Sequence, residues 1–323
     1  MKYRKLDGIE KELSVLVYGT PWTACSKQYR DRAFESYDLA WKAGFRAFDT
    51  AHSYGDGEET LGAWLQSRGL REEAVILDKG CNPGQRGSTD TLSAETIRKQ
   101  LEQSLERLQT DSVEFYLLHR DDPDVAVDEI IEELNEEQKK GRILRFGVSN
   151  WSLQRIQAAN AYAEKHQLSG FTGFSPAYSL AVYLRDPWGG SISISGEENA
   201  YFRKWLQKKD MPVFCYSSLG RGYLSGKFRT DSGMAIEDCL KQGPILEYDA
   251  PENRARLARA EQLAREKGCS VSQICLAWLL HQPLQIFPLV APSSEEHIRD
   301  NAGAFDLELS DEECGWLLNP EQA

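Results

Sequence analysis

Four side chains in this sequence are of types that could together move a proton onto a carbonyl oxygen: Tyr54, Lys79, His119 and Asp49. Asp49 ends the run Phe45-Arg46-Ala47-Phe48-Asp49, and Tyr54 follows five residues on, directly before Gly55. Lys79 ends Ala74-Val75-Ile76-Leu77-Asp78-Lys79, and His119 ends Val113-Glu114-Phe115-Tyr116-Leu117-Leu118-His119. A free tyrosine has a pKa of about 10 and is a poor acid at neutral pH, so it needs charged company. A lysine held by an aspartate in a partly buried ion pair favours the phenolate and is expected to lower the tyrosine pKa toward the working range. A histidine beside them would donate a second hydrogen bond and orient the carbonyl. Hydride delivered to a carbonyl carbon leaves negative charge on oxygen, and donors placed where that charge develops do most of the catalytic work. Each residue alone has an ordinary alternative, as turn, helix cap or solvated charge; the argument rests on the four together.

The elements that must position them alternate. Strand-like runs recur near residues 15–19, 45–49, 74–78, 112–118, 143–148, 171–174, 212–216 and 286–290, and helix-like segments separate most of them, which implies parallel pairing. Ile97, Leu101, Leu105 and Leu108 form one helical stripe, and Val271, Ile274, Cys275, Trp278 and Leu279 another. Ser270-Val271-Ser272-Gln273, Ser293-Ser294-Glu295-Glu296 and Ser310-Asp311-Glu312-Glu313 each have the pattern of a capping box. Eight strands predict a (β/α)8 TIM barrel, residues 1–323 forming one domain, with long βα loops after strands 6 and 7 at about 179–197 and 217–253. A doubly wound sheet would usually carry GxGxxG after its first strand, where this chain has Val17-Tyr18-Gly19-Thr20-Pro21-Trp22.

The 323 residues are 41% hydrophobic, enough for a packed core, and no apolar run approaches the roughly 20 residues of a membrane span. The amino terminus lacks the apolar core of a signal peptide, which predicts a cytoplasmic protein. Seven cysteines without a CxxC pair argue against a disulfide framework or a structural zinc site; they are expected reduced, with Cys215 and Cys275 in the core. A formal charge of -12 disfavours nucleic acid and anionic lipid as partners. A small-molecule carbonyl or alcohol is the expected partner, the protein being a monomer or small homo-oligomer.

Asp49-Thr50-Ala51-His52-Ser53-Tyr54-Gly55, with Glu58-Glu59-Thr60-Leu61-Gly62 after it, and Gly141-Arg142-Ile143-Leu144-Arg145-Phe146-Gly147-Val148-Ser149-Asn150 resemble the D-T-A-x-x-Y-G and G-x-x-R-x-x-G-V-S-N motifs of the aldo-keto reductases, and the likeness runs nearly end to end. The resemblance implies NADP(H)- or NAD(H)-dependent interconversion of aldehydes or ketones with alcohols, with Tyr54, Asp49, Lys79 and His119 catalytic. It also implies that Ser149, Asn150 and Ser175 meet the nicotinamide carboxamide, although Ser149 and Asn150 could instead cap the helix that begins near Ser152. Residues 212–227 look like the family's cofactor loop: Tyr216 would stack on nicotinamide, while Ser217, Leu219, Gly222 and Lys227 would lie along the cofactor. Ser293, Ser294, His297 and Asn301 fall at its last cofactor segment.

Departures from the family pattern bear on cofactor choice. Ser175 stands where many members carry a glutamine and would reach less far. Ala291 and His297 stand where a Lys or Arg and an Arg commonly clamp the 2′-phosphate of NADPH, so discrimination against NADH is expected to be weak. Residues 185–196, rich in Ser and Gly around Trp188, form an insertion suited to a polyhydroxylated ligand such as a sugar or to a plain surface loop. Trp22, Trp151 and Trp188 could line a pocket or fill the core. Two other classes remain: a cofactor-binding regulatory subunit of the same fold acting through a protein partner, and a metal-dependent barrel hydrolase using His52 and His119. The latter lacks an HxH motif, so no metal is expected.

Overall fold

A computed structural model describes residues 1–84, 88–292 and 294–319. Its strands are β1 (Tyr3–Leu6), β2 (Ile9–Ser14), β3 (Val17–Gly19), β4 (Ala47–Asp49), β5 (Val75–Gly80), β6 (Val113–Leu118), β7 (Ile143–Ser149), β8 (Phe174–Ser175), β9 (Val213–Cys215) and β10 (Ile286–Val290). β3 to β10 form a closed barrel in the order β10-β3-β4-β5-β6-β7-β8-β9, with helices between the strands, so the expected (β/α)8 architecture is present. Contacts group the chain into two compact units, Met1–Ser175 and Pro176–Ala323.

Met1–Ser175 contains β1 to β8. β5 and β6 are buried along their whole length, as parallel strands covered by helices must be. Helix Ala94–Leu108 buries Ile97, Leu101, Leu105 and Leu108, the stripe its spacing predicts. The antiparallel β1–β2 hairpin was not anticipated, although Asp7-Gly8 at its turn is a hairpin signal and Gly8 adopts φ +71°. Lys11 of β2 anchors it: its ammonium donates to the carbonyls of Arg71 and Ala74 at 3.0 Å and to Glu114 Oε1 at 2.6 Å. Glu114 also accepts from Arg71 and from the Ile76 amide, so one buried carboxylate ties the hairpin to β5 and β6.

Pro176–Ala323 holds β9, β10 and the helices Ala200–Lys209, Pro251–Lys267, Val271–His281 and Asp311–Leu318. Val271, Ile274, Cys275, Trp278 and Leu279 are buried as predicted, as is Cys215. Full capping boxes form at Ser270 and Ser310. At the third expected box, helix Glu295–Gly303 is capped by Ser294, whose hydroxyl accepts from the His297 amide. Ser293 lies outside the described residues. Segment 179–197 is largely irregular, while 217–253 contains the helices Ile236–Cys239 and Gln242–Tyr248.

Behind Lys79, Asp78 of β5 lies against Glu58 of helix Gly57–Arg68, and both are completely buried. Glu58 Oε2 accepts from Arg107 at 3.0 Å. Burial, and then the Glu58 charge, push the Asp78 carboxyl well above the usual carboxylate range, so Asp78 keeps its proton. A folded-state pKa raised above the unfolded value means that only the unfolded chain releases this proton as pH climbs from about 4, so stability drains away on the alkaline side. Asp78→Asn removes that titration. Its stability relative to the parent, measured by urea unfolding, should rise by about 1 kcal/mol or more between about pH 5 and pH 8; a pH-independent difference would show that Asp78 is ionised in the fold.

Candidate active site

Asp49 is the last residue of β4, Lys79 the penultimate residue of β5, and His119 directly follows β6. These parallel neighbours bring three strand ends together, with Asp49 opposite Leu77 and Lys79 opposite Leu117. Lys79 Nζ donates to Asp49 Oδ1 at 2.5 Å and to the Thr50 carbonyl at 2.8 Å, and both side chains of the pair are about 95% buried, with 4% and 5% exposure.

The turn carrying Tyr54 is latched in place. The Tyr54 amide donates to the Ala51 carbonyl, the Asp56 amide to the Cys25 carbonyl at 3.3 Å, and Asp56 Oδ2 accepts from the Lys27 amide at 2.7 Å. Gly55 sits at φ +59°, and a Cβ there would lie 2.5 Å from the Cys25 carbonyl oxygen, so both conformation and space demand glycine. The result places the Tyr54 ring 5.2 Å from Lys79 Nζ and 5.6 Å, edge to face, from the His119 ring. The expected group of four is therefore assembled.

Its electrostatics differ from the expectation in one respect. Burial disfavours charge on Lys79, but the charge of Asp49 and its hydrogen bond outweigh it, and the net direction for the ammonium is upward. Burial also pushes the Asp49 carboxyl up, against the pull of Lys79. Burial raises Tyr54 above its ordinary value; Lys79 lowers it, as anticipated, and Arg120 adds a smaller pull downward, yet Asp49 and Cys25 add to the rise and the net direction is upward. Tyr54 is thus a proton holder throughout the neutral range. His119 is driven well below the ordinary imidazole value by burial and by the cations Lys79 and Arg120, so its ring is neutral at pH 7, with Nδ1 3.5 Å from Ser53 Oγ.

Ser149 and Asn150 do not cap a helix: helix Leu153–Lys165 is capped by Ser152. Ser149 Oγ donates to the Ser175 carbonyl at 2.8 Å, and Asn150 Nδ2 donates to the His119 carbonyl at 3.1 Å and to Ser149 Oγ at 3.0 Å. Asn150 has φ +61°, a left-handed conformation that asparagine tolerates. These two residues and Ser175 knit together the ends of β6, β7 and β8. His52 is engaged by Gln103 at 3.0 Å, and Trp151 is fully buried against Phe171, whereas Trp22 and Trp188 are 64% and 47% exposed.

Within Pro176–Ala323, Tyr216 is half-buried beyond β9; its amide donates to the Pro176 carbonyl at 3.0 Å and its ring meets Trp188 edge-on at 5.9 Å. Ser217, Gly220, Arg221 and Gly222 all have positive φ, winding the Ser217–Gly222 segment around Leu219. Such a turn can converge amides on an anion. Lys227 and His297 are exposed and Asn301 is buried. Arg299 pairs with Glu295 at 2.6 Å. Sequence reasoning missed Arg120, whose signal was plain: a cation directly after the strand-end histidine, at the end of a buried strand.

The Aldo/keto reductase family model matches residues 16–317. The uncharacterized oxidoreductase YrpG of Bacillus subtilis is 30% identical over 303 residues, covering 89% of this chain and 86% of that protein. Norsolorinic acid reductase stcV of Emericella nidulans is 26% identical over 311 residues, covering 93% and 75%. Among solved structures, the glycerol dehydrogenase of Gluconobacter oxydans superposes with a TM-score of 0.78 at 22% identity, covering 99% of this chain and 96% of that one, which bears on the fold alone. By family match, by sequence likeness along nearly its whole length and by its closed eight-stranded barrel, this chain belongs to the aldo/keto reductase family of carbonyl–alcohol oxidoreductases.

Proposed function

We propose that this enzyme interconverts an aldehyde or ketone and its alcohol with a nicotinamide cofactor, NADP(H) or NAD(H), using Tyr54 as the proton donor and acceptor. The observation that carries the reading is the Tyr54 ring set between a buried, charged Lys79 and a neutral His119. A bound nicotinamide would supply the hydride to the carbonyl carbon. Tyr54 gives its proton to the carbonyl oxygen, and Lys79 stabilises the phenolate until solvent restores the proton. His119, uncharged, orients the carbonyl by a hydrogen bond without competing as an acid.

The chain's donor set fits such a cofactor. Hydroxyls and an amide at Ser149, Asn150 and Ser175 suit a carboxamide, the half-buried Tyr216 ring suits stacking, and the left-handed turn around Leu219, with Ser217 and Gly222, suits a pyrophosphate. The amino terminus of helix Glu295–Gly303 behind Ser294 favours a phosphate, with His297 and Asn301 on the same helix.

Tyr54→Phe should lower carbonyl reduction by about 100- to 10,000-fold while cofactor affinity stays within a few-fold; near-normal turnover would eliminate Tyr54 as the acid. Because the Tyr54 pKa is raised, alcohol oxidation, which needs the phenolate, should accelerate steadily with pH through the alkaline range, whereas reduction should be flat around neutrality. Oxidation that plateaus by about pH 7 would show a depressed tyrosine instead. With no Lys or Arg at positions 291 and 297 and Arg299 paired to Glu295, NADPH and NADH should bind within about tenfold of each other when followed by tryptophan quenching. A preference for NADPH above about a hundredfold would reveal another clamp on the 2′-phosphate.

A further inference from the structure

Arg120 is only 8% exposed, and its Nε is buried without a hydrogen-bond partner. Among the described residues, no carboxylate or carbonyl accepts from its guanidinium. That sets it apart from the other well-covered arginines of Met1–Ser175. Arg71 donates to Thr110, Glu114 and the carbonyls of Ala74 and Ser112. Arg155 donates to both oxygens of Asp121 and to the carbonyls of Asp122 and Val125. A guanidinium whose Nε–H is buried without an acceptor is expensive unless something else supplies one.

The neighbouring carboxylates are already committed. Asp121 is taken by Arg155, Asp122 accepts from the Leu92 and Asp124 amides, and Asp90 accepts from the Asn82 amide. The backbone of Arg120 is pinned, its amide donating to the Cys81 carbonyl at 3.3 Å just past β5. Its charge acts on the reacting groups, since it lowers the pKa of both Tyr54 and His119. Charges in the catalytic group otherwise cancel: Asp49 and Lys79 neutralise each other and His119 is neutral. Arg120 leaves one positive charge over.

Building on the carbonyl-reductase reading above, we propose that Arg120 is the anchor for an anionic group on the substrate, so that the enzyme acts on carbonyl compounds bearing a carboxylate or a phosphate, the guanidinium holding that group while Tyr54 and His119 address the carbonyl. Arginine suits the task because its planar fork matches carboxylate and phosphate oxygens in pairs.

The test is kinetic selectivity within matched pairs: para-carboxybenzaldehyde against para-nitrobenzaldehyde, which share shape but not charge, and glycolaldehyde phosphate against glycolaldehyde. The parent enzyme should favour the charged member, and Arg120→Gln should erase about 10- to 100-fold of that kcat/KM ratio, chiefly through KM. The pair with the larger loss identifies carboxylate or phosphate as the natural group. Arg120→Lys, which keeps the charge but not the fork, should lose less, and serves alone if the glutamine variant fails to fold. A parallel fall for charged and neutral members, no preference in the parent, or a change confined to cofactor affinity would overturn the assignment. If the parent reduces none of the four, the carbonyl-reductase reading itself is at fault, and calorimetry with benzoate and inorganic phosphate decides the anion site separately. Binding to the parent that Arg120→Gln abolishes upholds it; equal binding, or none, overturns it.

Discussion

The ion pair between Lys79 and Asp49 is the constraint on which the rest of the site depends. Removing two charges from water costs several kcal/mol each, and their attraction offsets this only when the geometry is close and the remaining donors are satisfied. Here the contact is 2.5 Å, and the Thr50 carbonyl takes a second ammonium proton. Adjacent parallel strands hold both ends, so neither side chain can relax away without breaking the barrel ladder. The same burial governs the neighbours: it keeps Asp78 protonated, His119 neutral and Tyr54 undissociated. The buried Lys79–Asp49 pair and the covered Arg120 thus sit among groups that the low-polarity interior holds uncharged.

Around that pair the scaffold is polar where strands end. Ser149, Asn150 and Ser175 exchange hydrogen bonds among the ends of β7, β8 and the residue after β6, and the Tyr54 turn is fastened to the Cys25 carbonyl and the Lys27 amide. Strand-end backbone groups lack ladder partners and would otherwise be unsatisfied when buried. Supplying those partners fixes the donors that surround the site, which is the rigidity that preorganised catalysis requires. At the far end of the strands, Glu114 performs a comparable task for the amino-terminal hairpin.

Much of this was legible beforehand. Val75 to Lys79 and Val113 to Leu118 are runs of strand length, and the polar residue at the end of the first, Lys79, and after the second, His119, announced itself. Helical stripes such as Ile97 to Leu108 were equally plain, because burial on one face imposes a fixed spacing. The hairpin was harder to see, since its strands hold several charged residues, and the anchoring of Lys11 to Glu114 joins positions far apart in the chain. Helix Glu295–Gly303 is capped by Ser294 with His297 at its third position, whereas the pattern read from Ser293 pointed to Glu296.

The sequence by itself determined the order of elements and which residue types stand at the strand ends, because hydrophobic period and turn chemistry are local properties. Only the tertiary structure decided protonation and pairing. Tyr54 beside Lys79 reads as an acid whose pKa should fall, yet desolvation by the packed fold outweighs the nearby cation. Arg120 reads as an ordinary charge, yet it is buried while its sequence neighbour Asp121 is claimed by Arg155. Burial and competition for partners depend on residues brought together from distant parts of the chain, and no local pattern of amino acids encodes their outcome.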